Sequence, residues 1–394
     1  MRIGMILDKE YPPDPRVENE AIELIKQGHD VFLFCLTYGN EKLEEIVQGI
    51  NVRRYKTNKL EYKLSALAYT FPFYDWFMKP KIKDFVLKNK VDAIHIHDMQ
   101  IASAVFKANT STKLPTVLDL HENRPEIMRF YPHLQKTYGK LLISIDKWIK
   151  KEEEFVRKAT KVVVVTDHAK QELVDRVGVT ADKIYAVPNT IRPSFYEGAA
   201  KPISYQKESD DFTILYLGDT GTRRGLKTVV LSLLKLRDEK NITNIKFVVI
   251  GKPSNYLEKL VADNKLENQV KLMGWQIDTT FPEWIRVSDL CVSPLHRNIH
   301  HDTTYANKIF QYMSLGKPLL VSDATAQEDV VKNNGAGLIH TAKDVEGFTE
   351  QLLKLYSDKE LREALGNSGK EFVRSSFTWD KTSKELIELY KKLD

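Results

Sequence analysis

Short apolar runs alternate with longer segments of helical period along the whole chain. The runs are rich in β-branched residues and are apolar throughout, which is typical of strands buried on both faces of a parallel sheet. Such a pattern predicts an α/β fold. The predicted strands are Arg2–Leu7, Val31–Leu36, Ala93–His97, Thr116–Leu120, Val162–Thr166, Ile184–Val187, Thr213–Leu217, Lys246–Ile250, Val270–Met273, Leu290–Val292 and Leu319–Ser322.

The first connection along the chain has clear helix signals. Asp14 is suited to cap a helix that begins at Pro15, and Gly28 is suited to end it. A strand, a helix and a second strand in this order predict a βαβ unit, and therefore parallel strands.

The periodic pattern stops between Asn189 and Asp211, where prolines, glycines and polar residues dominate, and it restarts afterwards. We therefore predict two Rossmann-like, doubly wound domains at 1–192 and 193–378. An amphipathic helix within 379–394 could pack back on the first domain. Ligands of such sheets bind beyond the carboxyl ends of the strands, so two domains that face each other would form a binding cleft.

Composition is that of an ordinary globular protein, with 394 residues, 42% hydrophobic and 29% charged. The net charge of +5 is spread along the chain, which argues against nucleic-acid binding. No apolar stretch approaches the ~20 residues of a membrane-spanning helix, and the N-terminus reads as a strand rather than a signal peptide. Cys35 and Cys291 lie in apolar runs and are expected to be reduced thiols, so a cytoplasmic location is expected.

The segment Arg53–Lys90 differs from the rest of the chain. It holds ten lysines and arginines against three acidic residues, and aromatic residues are interleaved among them. One interpretation is contact with the inner face of an anionic membrane. The other is a pair of helices with a solvated basic face and aromatic core residues.

One stretch of the second half, Leu215–Val230, has the pattern of an anion site. A predicted strand ends at Gly218, a turn of small residues carries Arg223 and Arg224, and Gly225 precedes a helix. Turn amides, a helix N-terminus and guanidinium groups all favour phosphate oxygens.

A second stretch, Ser293–Asp323, places a histidine-rich loop before a helix that is predicted to begin near Tyr305. On that helix Thr304, Lys308 and Gln311 would share one face, which could meet a diphosphate and its sugars.

Histidines occur in two groups that suggest metal ligands, around His97 and around His296. Neither group has a cysteine or a second carboxylate at ligand spacing, so we predict no bound metal. The chain also lacks the GxSxG, GxxxxGK[ST] and GxGxxG patterns of hydrolases, P-loop proteins and dinucleotide-binding enzymes.

Several of these segments together resemble the retaining glycosyltransferases of family 4, within the GT-B superfamily. They are PRVENEAIELIKQGHDV, VDAIHIHD, VLDLHENRPEI, VVVVTDHAKQELVDRVGV with KIYAVPNTI, LYLGDTGTRRGL, FVVIGKPSNYLEKL, VKLMGWQ and YANKIFQYMSLGKPLLVSD, in the order of the family.

The resemblance implies site residues as well as a fold. Arg224 matches the basic residue that holds the donor diphosphate, although the family often has arginine where this chain has Asp219. The family's two glutamates, eight residues apart, correspond to Gln311 and a position near Thr303, which marks a variant subfamily. The implied catalytic residues are His121, Arg224 and Lys308. The implied donor contacts are Gly218, Thr220, Arg223, Gly251, Lys252, Trp275, His296, Asp302, Thr303, Thr304, Asn307 and Gln311. The acceptor-side candidates are Tyr11, Arg16, His97 and Glu122.

The implied reaction moves a sugar from a UDP- or GDP-sugar to a hydroxyl of a saccharide or lipid-linked acceptor, with retention and with no cofactor required. The implied role is polysaccharide or glycoconjugate biosynthesis. Two alternatives stay open: a nucleotide-sugar epimerase of the same fold, and an inactive transferase-like binding subunit.

Overall fold

The computed structural model describes residues 1–199 and 201–393. It separates into two compact units. The first unit is Met1–Pro188 together with the C-terminal segment from Ser383, and the second is Asn189–Thr382.

The first unit is built on an eight-stranded sheet, with the strand order β3-β4-β2-β1-β5-β6-β7-β8. Neighbouring strands pair in parallel except β3 with β4, which are antiparallel. The strands are β1 (Arg2–Ile6), β2 (Asp30–Thr37), β3 (Glu44–Val47), β4 (Ile50–Lys56), β5 (Ala93–His97), β6 (Thr116–Leu120), β7 (Lys161–Val164) and β8 (Ile184–Ala186).

Helices cover both faces of this sheet, as parallel strands require. They are α1 (Pro15–Lys26), α2 (Lys59–Ser65), α3 (Phe73–Asn89), α4 (Met99–Ala108), α5 (Arg124–Met128), α6 (Pro132–Gln135), α7 (Thr137–Leu142), α8 (Ile145–Lys158) and α9 (Asp167–Val177), with a 3-10 turn at Ala181–Lys183. The Asp14 side chain accepts a hydrogen bond from the Val17 amide and so caps α1, as predicted.

The second unit is built on a six-stranded, fully parallel sheet with the order β11-β10-β9-β12-β13-β14. Its strands are β9 (Phe212–Leu217), β10 (Ile245–Ile250), β11 (Val270–Leu272), β12 (Leu290–Ser293), β13 (Leu319–Ser322) and β14 (Gly337–His340). Its helices are α10 (Pro193–Glu197), α11 (Leu226–Lys240), α12 (Asn255–Asp263), α13 (Phe281–Val287), α14 (Ile299–Thr303), α15 (Lys308–Ser314), α16 (Thr325–Asn333), α17 (Val345–Ser357), α18 (Lys359–Glu371) and α19 (Trp379–Thr382). Short 3-10 turns lie at Thr222–Arg224 and Asp278–Thr280, and a π-helical turn lies at Phe372–Ser376.

The prediction of two parallel-sheet α/β domains is confirmed. The prediction that the donor-side helix begins near Tyr305 is wrong. Thr304 has an extended backbone (φ −133°, ψ 147°), and α15 begins at Lys308 after Asn307. Thr304 therefore does not share a helical face with Lys308 and Gln311.

The predicted C-terminal helix is two helices, because the backbone hydrogen-bond pattern changes around Ser383. After α19 the chain passes from the second unit to the first, where α20 (Lys384–Lys391) packs its buried Leu386, Leu389 and Tyr390. Among the described residues, no helix has the length and apolar character needed to cross a membrane.

Candidate functional site

A cluster of basic side chains lies in the second unit, where β9 and β12 are neighbours in the sheet. The strand order reverses at this pair, since β10 and β11 follow on one side and β13 and β14 on the other. Such a switch point leaves a crevice at the carboxyl ends of the strands, where ligands of doubly wound sheets bind.

Glycines allow the loops at these strand ends to touch backbone to backbone. Gly225 has φ +74°, and a Cβ there would lie 1.6 Å from the carbonyl oxygen of Pro294. Gly251 has φ +146°, and a Cβ there would lie 2.1 Å from the carbonyl oxygen of Gly218. No other residue fits at either position without moving a strand end. The glycines therefore set the shape of the crevice.

Two arginines and an aspartate occupy the loop after β9. The Arg224 Nε lies 3.1 Å from the Asp219 carboxylate, and the Arg223 Nη2 lies 3.8 Å from it. The Gly221 amide also donates to this carboxylate, at 3.1 Å. Partial burial would raise the pKa of Asp219, but the hydrogen bond and charge of Arg224 lower it below its ordinary value. Asp219 therefore remains ionised between the two guanidinium groups.

Lys308, at the start of α15, is a third cation in the same place. Its Nζ lies 3.6 Å from the centre of the Tyr216 ring and faces Gly218. In the part of the chain that the structure describes, no carboxylate oxygen lies within 4.0 Å of this nitrogen. Burial, followed by the charges of Arg224 and Arg223, holds the pKa of Lys308 well below its ordinary value. Among the described residues, both arginines contact the Asp219 carboxylate and the Lys308 amine lies close to them, so this group of basic side chains attracts an added anion.

The neighbouring loops are tied to each other by backbone contacts. The Thr220 hydroxyl donates to the Lys252 carbonyl at 2.9 Å and accepts from the Ser254 amide at 2.7 Å. The Gly251 amide donates to the Gly274 carbonyl at 2.8 Å. Beside them Trp275 is 78% exposed. The loops after β9, β10 and β11 thus form one wall with an exposed indole at its edge.

The histidine-rich loop after β12 is held by its own hydrogen bonds. The His301 ring lies 2.7 Å from the His296 carbonyl and 3.3 Å from Arg223 Nη1. Asp302 accepts from Arg297 and from the Thr325 amide, at 3.2 and 3.1 Å.

The hydroxyls of Thr303 and Thr304 bond back to helix α14, at Ile299 O and His300 O. Asn307 is exposed and Gln311 is half-buried. Of the donor contacts predicted in this stretch, Thr303 and Thr304 are buried, whereas His296, Asp302, Asn307 and Gln311 are at least partly exposed.

A buried polar network fills the carboxyl edge of the first sheet. Arg16 donates two hydrogen bonds to Asp119, at 2.8 and 2.6 Å, and a third to the Val187 carbonyl at 2.9 Å. Its Nη2 also lies 3.0 Å from Glu20. The side chains of Asp119 and Glu20 are fully buried, so Arg16 provides the positive charge that makes their burial possible.

Three histidines extend this network along the strand ends. His95 Nδ1 lies 2.8 Å from the hydroxyl of Tyr390, on helix α20. The His97 ring lies 3.2 Å from the His121 ring, and His121 lies 2.9 Å from Asp119. Burial lowers the pKa of His97 to about 3. Burial alone would also lower the pKa of His121, but the Asp119 carboxylate raises it above its ordinary value.

Glu20, His95, His97 and Asp119 bring possible metal-ligand atoms within 4.8 Å of one another. The sequence did not indicate this group, because Glu20 lies on α1 and Asp119 on β6. The Arg16 guanidinium contacts both carboxylates of the group. Arg16 therefore supplies positive charge directly beside both carboxylates of this group.

His121 and Glu122, which the sequence predicted, reach solvent at the edge of this network, and contacts near them involve residues that sequence reasoning missed. His121 is 17% exposed and Glu122 37% exposed, measured on the side chains. Arg124 donates to Asp98 at 2.9 Å, and Tyr74 donates to the buried Asp8 at 3.0 Å.

Asp8 and Asp98 follow β1 and β5, the switch point of this sheet. An acidic residue directly after a buried parallel strand is typical of a ligand site, so the sequence positions of Asp8 and Asp98 could have indicated them. Tyr11, by contrast, is buried, and its carbonyl accepts from Arg54 at 3.0 Å.

Comparison with known proteins agrees with this architecture. Residues 16–195 match the family described as Glycosyltransferase Family 4, and residues 199–372 match Glycosyl transferases group 1. An uncharacterised glycosyltransferase of Methanocaldococcus jannaschii is 22% identical over 99% of this chain and 98% of its own.

Among solved structures, sucrose-phosphate synthase from Thermosynechococcus elongatus is similar, with a TM-score of 0.76 and 16% identity over 100% of this chain and 98% of the other. The Anabaena protein Alr3699/HepE in complex with UDP has a TM-score of 0.70 and 13% identity, over the full length of both chains.

The fold and the family matches define the class: this is a GT-B glycosyltransferase. The chain belongs to the glycosyltransferases whose first domain is of family 4 and whose second is of group 1.

Proposed function

We propose that this enzyme transfers a sugar from a UDP- or GDP-sugar to a hydroxyl of a saccharide or lipid-linked acceptor, with retention of configuration. The observation that carries the proposal is the grouping of Arg223, Arg224 and Lys308 around one carboxylate, at the switch point of the second sheet. A diphosphate supplies the negative charge that this crevice lacks. The similar Anabaena structure, which contains UDP, supports a nucleotide donor.

The chemical step breaks the bond between the anomeric carbon and the diphosphate oxygen. The negative charge that develops on the diphosphate is stabilised by Arg224 and Lys308, and Arg223 adds to the field. The acceptor hydroxyl oxygen bonds to the anomeric carbon from the same face, and its proton passes to the departing phosphate oxygen. Asp219, the nearest carboxylate, is held by the arginines and serves neither as nucleophile nor as base.

The remaining donor contacts that we propose are side chains near the crevice that are exposed to solvent. Trp275 and Lys252 are exposed beside the loop of Gly251 and would line the nucleobase. Gln311 and Asn307 would bond sugar hydroxyls, since an amide both donates and accepts. Gly218 and Thr220 shape the diphosphate loop.

On the acceptor side we propose that His121 and Glu122 contact the acceptor, because their side chains reach solvent. Arg16, His97 and Tyr11 are buried and would position them. The biological role we propose is assembly of a polysaccharide or glycoconjugate.

The test is donor binding and turnover by Arg224→Ala. Wild type should show a higher melting temperature with one UDP- or GDP-sugar, whether or not a chelator is present, because a ligand of the folded state stabilises it. Arg224→Ala should lose most of that shift and about 100-fold in turnover. Arg237→Ala is the control, since Arg237 bonds Asp238 and the Asn264 carbonyl at the end of α11. Equal turnover in wild type and Arg224→Ala would reject this assignment.

A further inference from the structure

Helix α3 in the first unit is apolar on two opposite sides. One side packs into the core through Tyr74, Met78, Ile82 and Phe85, which are at most 1% exposed. The other side also carries apolar residues at helical spacing, and these face solvent: Phe73, Trp76, Phe77 and Pro80. An ordinary surface helix has a polar outer face. The outer face of α3 is therefore expected to bind a partner.

The exposed side is continuous with its neighbours. Trp76 is 63% exposed, and Phe73 and Phe77 are 41% and 43% exposed. The Phe73 ring contacts Phe71 and Trp76, with ring centres 5.8 and 5.3 Å apart, so these rings pack on one another rather than on the core. A patch of large apolar side chains of this kind marks an interaction site.

The charge around this patch is positive, because each acidic side chain in the segment has its own partner. Glu61 pairs with Lys81 at 2.8 Å. Asp75 is buried and accepts from Ser103 at 2.7 Å. Asp84 accepts from the Tyr55 hydroxyl at 2.9 Å.

The exposed lysines have no such partners. Within the described residues, the amines of Lys59, Lys63, Lys79 and Lys83 lie beyond 4.0 Å from any carboxylate oxygen. Lys79 and Lys83 follow Trp76 by one and two helical turns and therefore border the aromatic side of α3. Lysine stems can cover apolar surface while the amines reach out to negative groups.

We propose that the surface formed by Phe71, Phe73, Trp76 and Phe77 with Lys79 and Lys83 docks onto a membrane that contains anionic lipids. Tryptophan and phenylalanine side chains suit the boundary between headgroups and acyl chains, and flanking lysines suit anionic headgroups. A protein partner would require a matching acidic apolar surface, whereas an anionic bilayer presents both features at once. The proposal goes beyond the proposed transfer reaction and does not depend on the donor site.

The test is co-sedimentation of the full chain with vesicles, without any nucleotide. One set contains phosphatidylcholine alone and the other contains phosphatidylcholine with phosphatidylglycerol, each at low and high salt. Wild type should bind the anionic vesicles most tightly, and high salt should weaken but not abolish binding. The double variant Phe73→Ser/Trp76→Ser should bind at least about tenfold more weakly to both sets. Lys79→Glu/Lys83→Glu should lose the preference for anionic vesicles.

Matched controls change the same residue types elsewhere. Tyr256→Ser removes an aromatic side chain that is 42% exposed on α12, and Lys240→Glu/Lys259→Glu makes the same change of net charge in the second unit. Circular dichroism and the melting temperature without ligand show whether each variant is folded. Absence of wild-type binding, or equal loss in the controls, would overturn the proposal. Self-association of wild type that Trp76→Ser removes would show instead that a second copy covers the surface.

Discussion

The Nζ of Lys308 lies 3.6 Å from the centre of the Tyr216 ring, and the ring takes the place that a carboxylate usually has beside a half-buried lysine. The negative face of an aromatic ring stabilises a cation without neutralising it. Burial and Arg224 together lower the pKa of this lysine. The positive charge of Lys308 is therefore costly in the empty protein and becomes favourable when an anion arrives.

The first prediction is that Lys308→Met loses activity and keeps or gains stability. Methionine fills a similar volume without the desolvation cost, so the melting temperature should equal or exceed that of wild type. Turnover should fall about 100-fold, because a donor to the leaving diphosphate is lost. Lys308→Arg is the control that keeps a charge there. Full turnover in Lys308→Met would exclude a role for this amine in the reaction.

The second prediction concerns Asp219, which lies within reach of both arginines in the absence of a ligand. A diphosphate must compete with this carboxylate for the guanidinium groups. Asp219→Asn should therefore bind UDP or GDP about fivefold more tightly, which corresponds to the ~1 kcal/mol of a solvent-exposed ion pair. Isothermal titration calorimetry at two salt concentrations measures the dissociation constants of UDP and GDP for wild type and Asp219→Asn. Weaker binding by Asp219→Asn would mean that the carboxylate orients the arginines instead.

The sequence predicts most of the fold because most of the buried parallel strands are dominated by apolar residues. The edge strand β3 was not predicted because exposed and half-buried positions alternate along it, with Glu44 and Ile46 both exposed, and β4 was not predicted because Arg53 and Arg54 interrupt it. Arg223, Arg224 and Lys308 could be indicated by local pattern and resemblance. The network of Arg16, Glu20 and Asp119 could not, because it depends on side chains that only the sheet order brings together.

The third prediction is that two neighbouring histidines respond to pH in opposite ways. The pKa of His121 is raised by Asp119, so its ion pair contributes stability below the unfolded pKa near ~6.5, and this contribution is lost as pH rises through the folded pKa. The pKa of His97 is lowered to about 3, so its contribution is present above ~6.5 and is lost as pH falls. NMR titration of the imidazole carbons should show His121 titrating above a free histidine and His97 staying neutral at pH 5. Similar midpoints for both rings would contradict this.

The fourth prediction is that Arg16→Met strongly destabilises the first unit. It would leave Asp119 and Glu20 buried without the guanidinium that contacts both of them, and breaking a buried ion pair costs about 3–5 kcal/mol. Arg2→Met is the control, because the Arg2 side chain is 40% exposed and lies 3.7 Å from an exposed Asp30. That variant should cost less than ~1 kcal/mol. The free energy of unfolding of each variant is measured by urea titration, with hydrogen exchange of residues 1–188 as the probe. Equal losses in the two variants would show that the network is not a source of stability.

The fifth prediction compares two glycines that share one backbone conformation. Gly225 and Gly178 have φ +74° and +72°, so alanine at either position carries a similar left-handed strain of ~1–2 kcal/mol. Only at Gly225 does the new Cβ meet an atom, since it would lie 1.6 Å from the Pro294 carbonyl oxygen, whereas nothing lies within 4 Å at Gly178. The difference in stability and donor binding between Gly225→Ala and Gly178→Ala therefore reports on the close approach of the loops after β9 and β12.

Gly225→Ala must move one of these loops, and Arg224 and His296 move with it. Its donor-induced melting shift should disappear, while Gly178→Ala should lower the melting temperature modestly and keep the full shift. Both the melting temperature without donor and the donor-induced shift must be measured, because a global loss of stability could imitate the loss of the donor site. If Gly225→Ala bound donor as tightly as Gly178→Ala, the backbone contact at Pro294 would not be part of the site, and the arginines would hold the diphosphate in another arrangement of these loops.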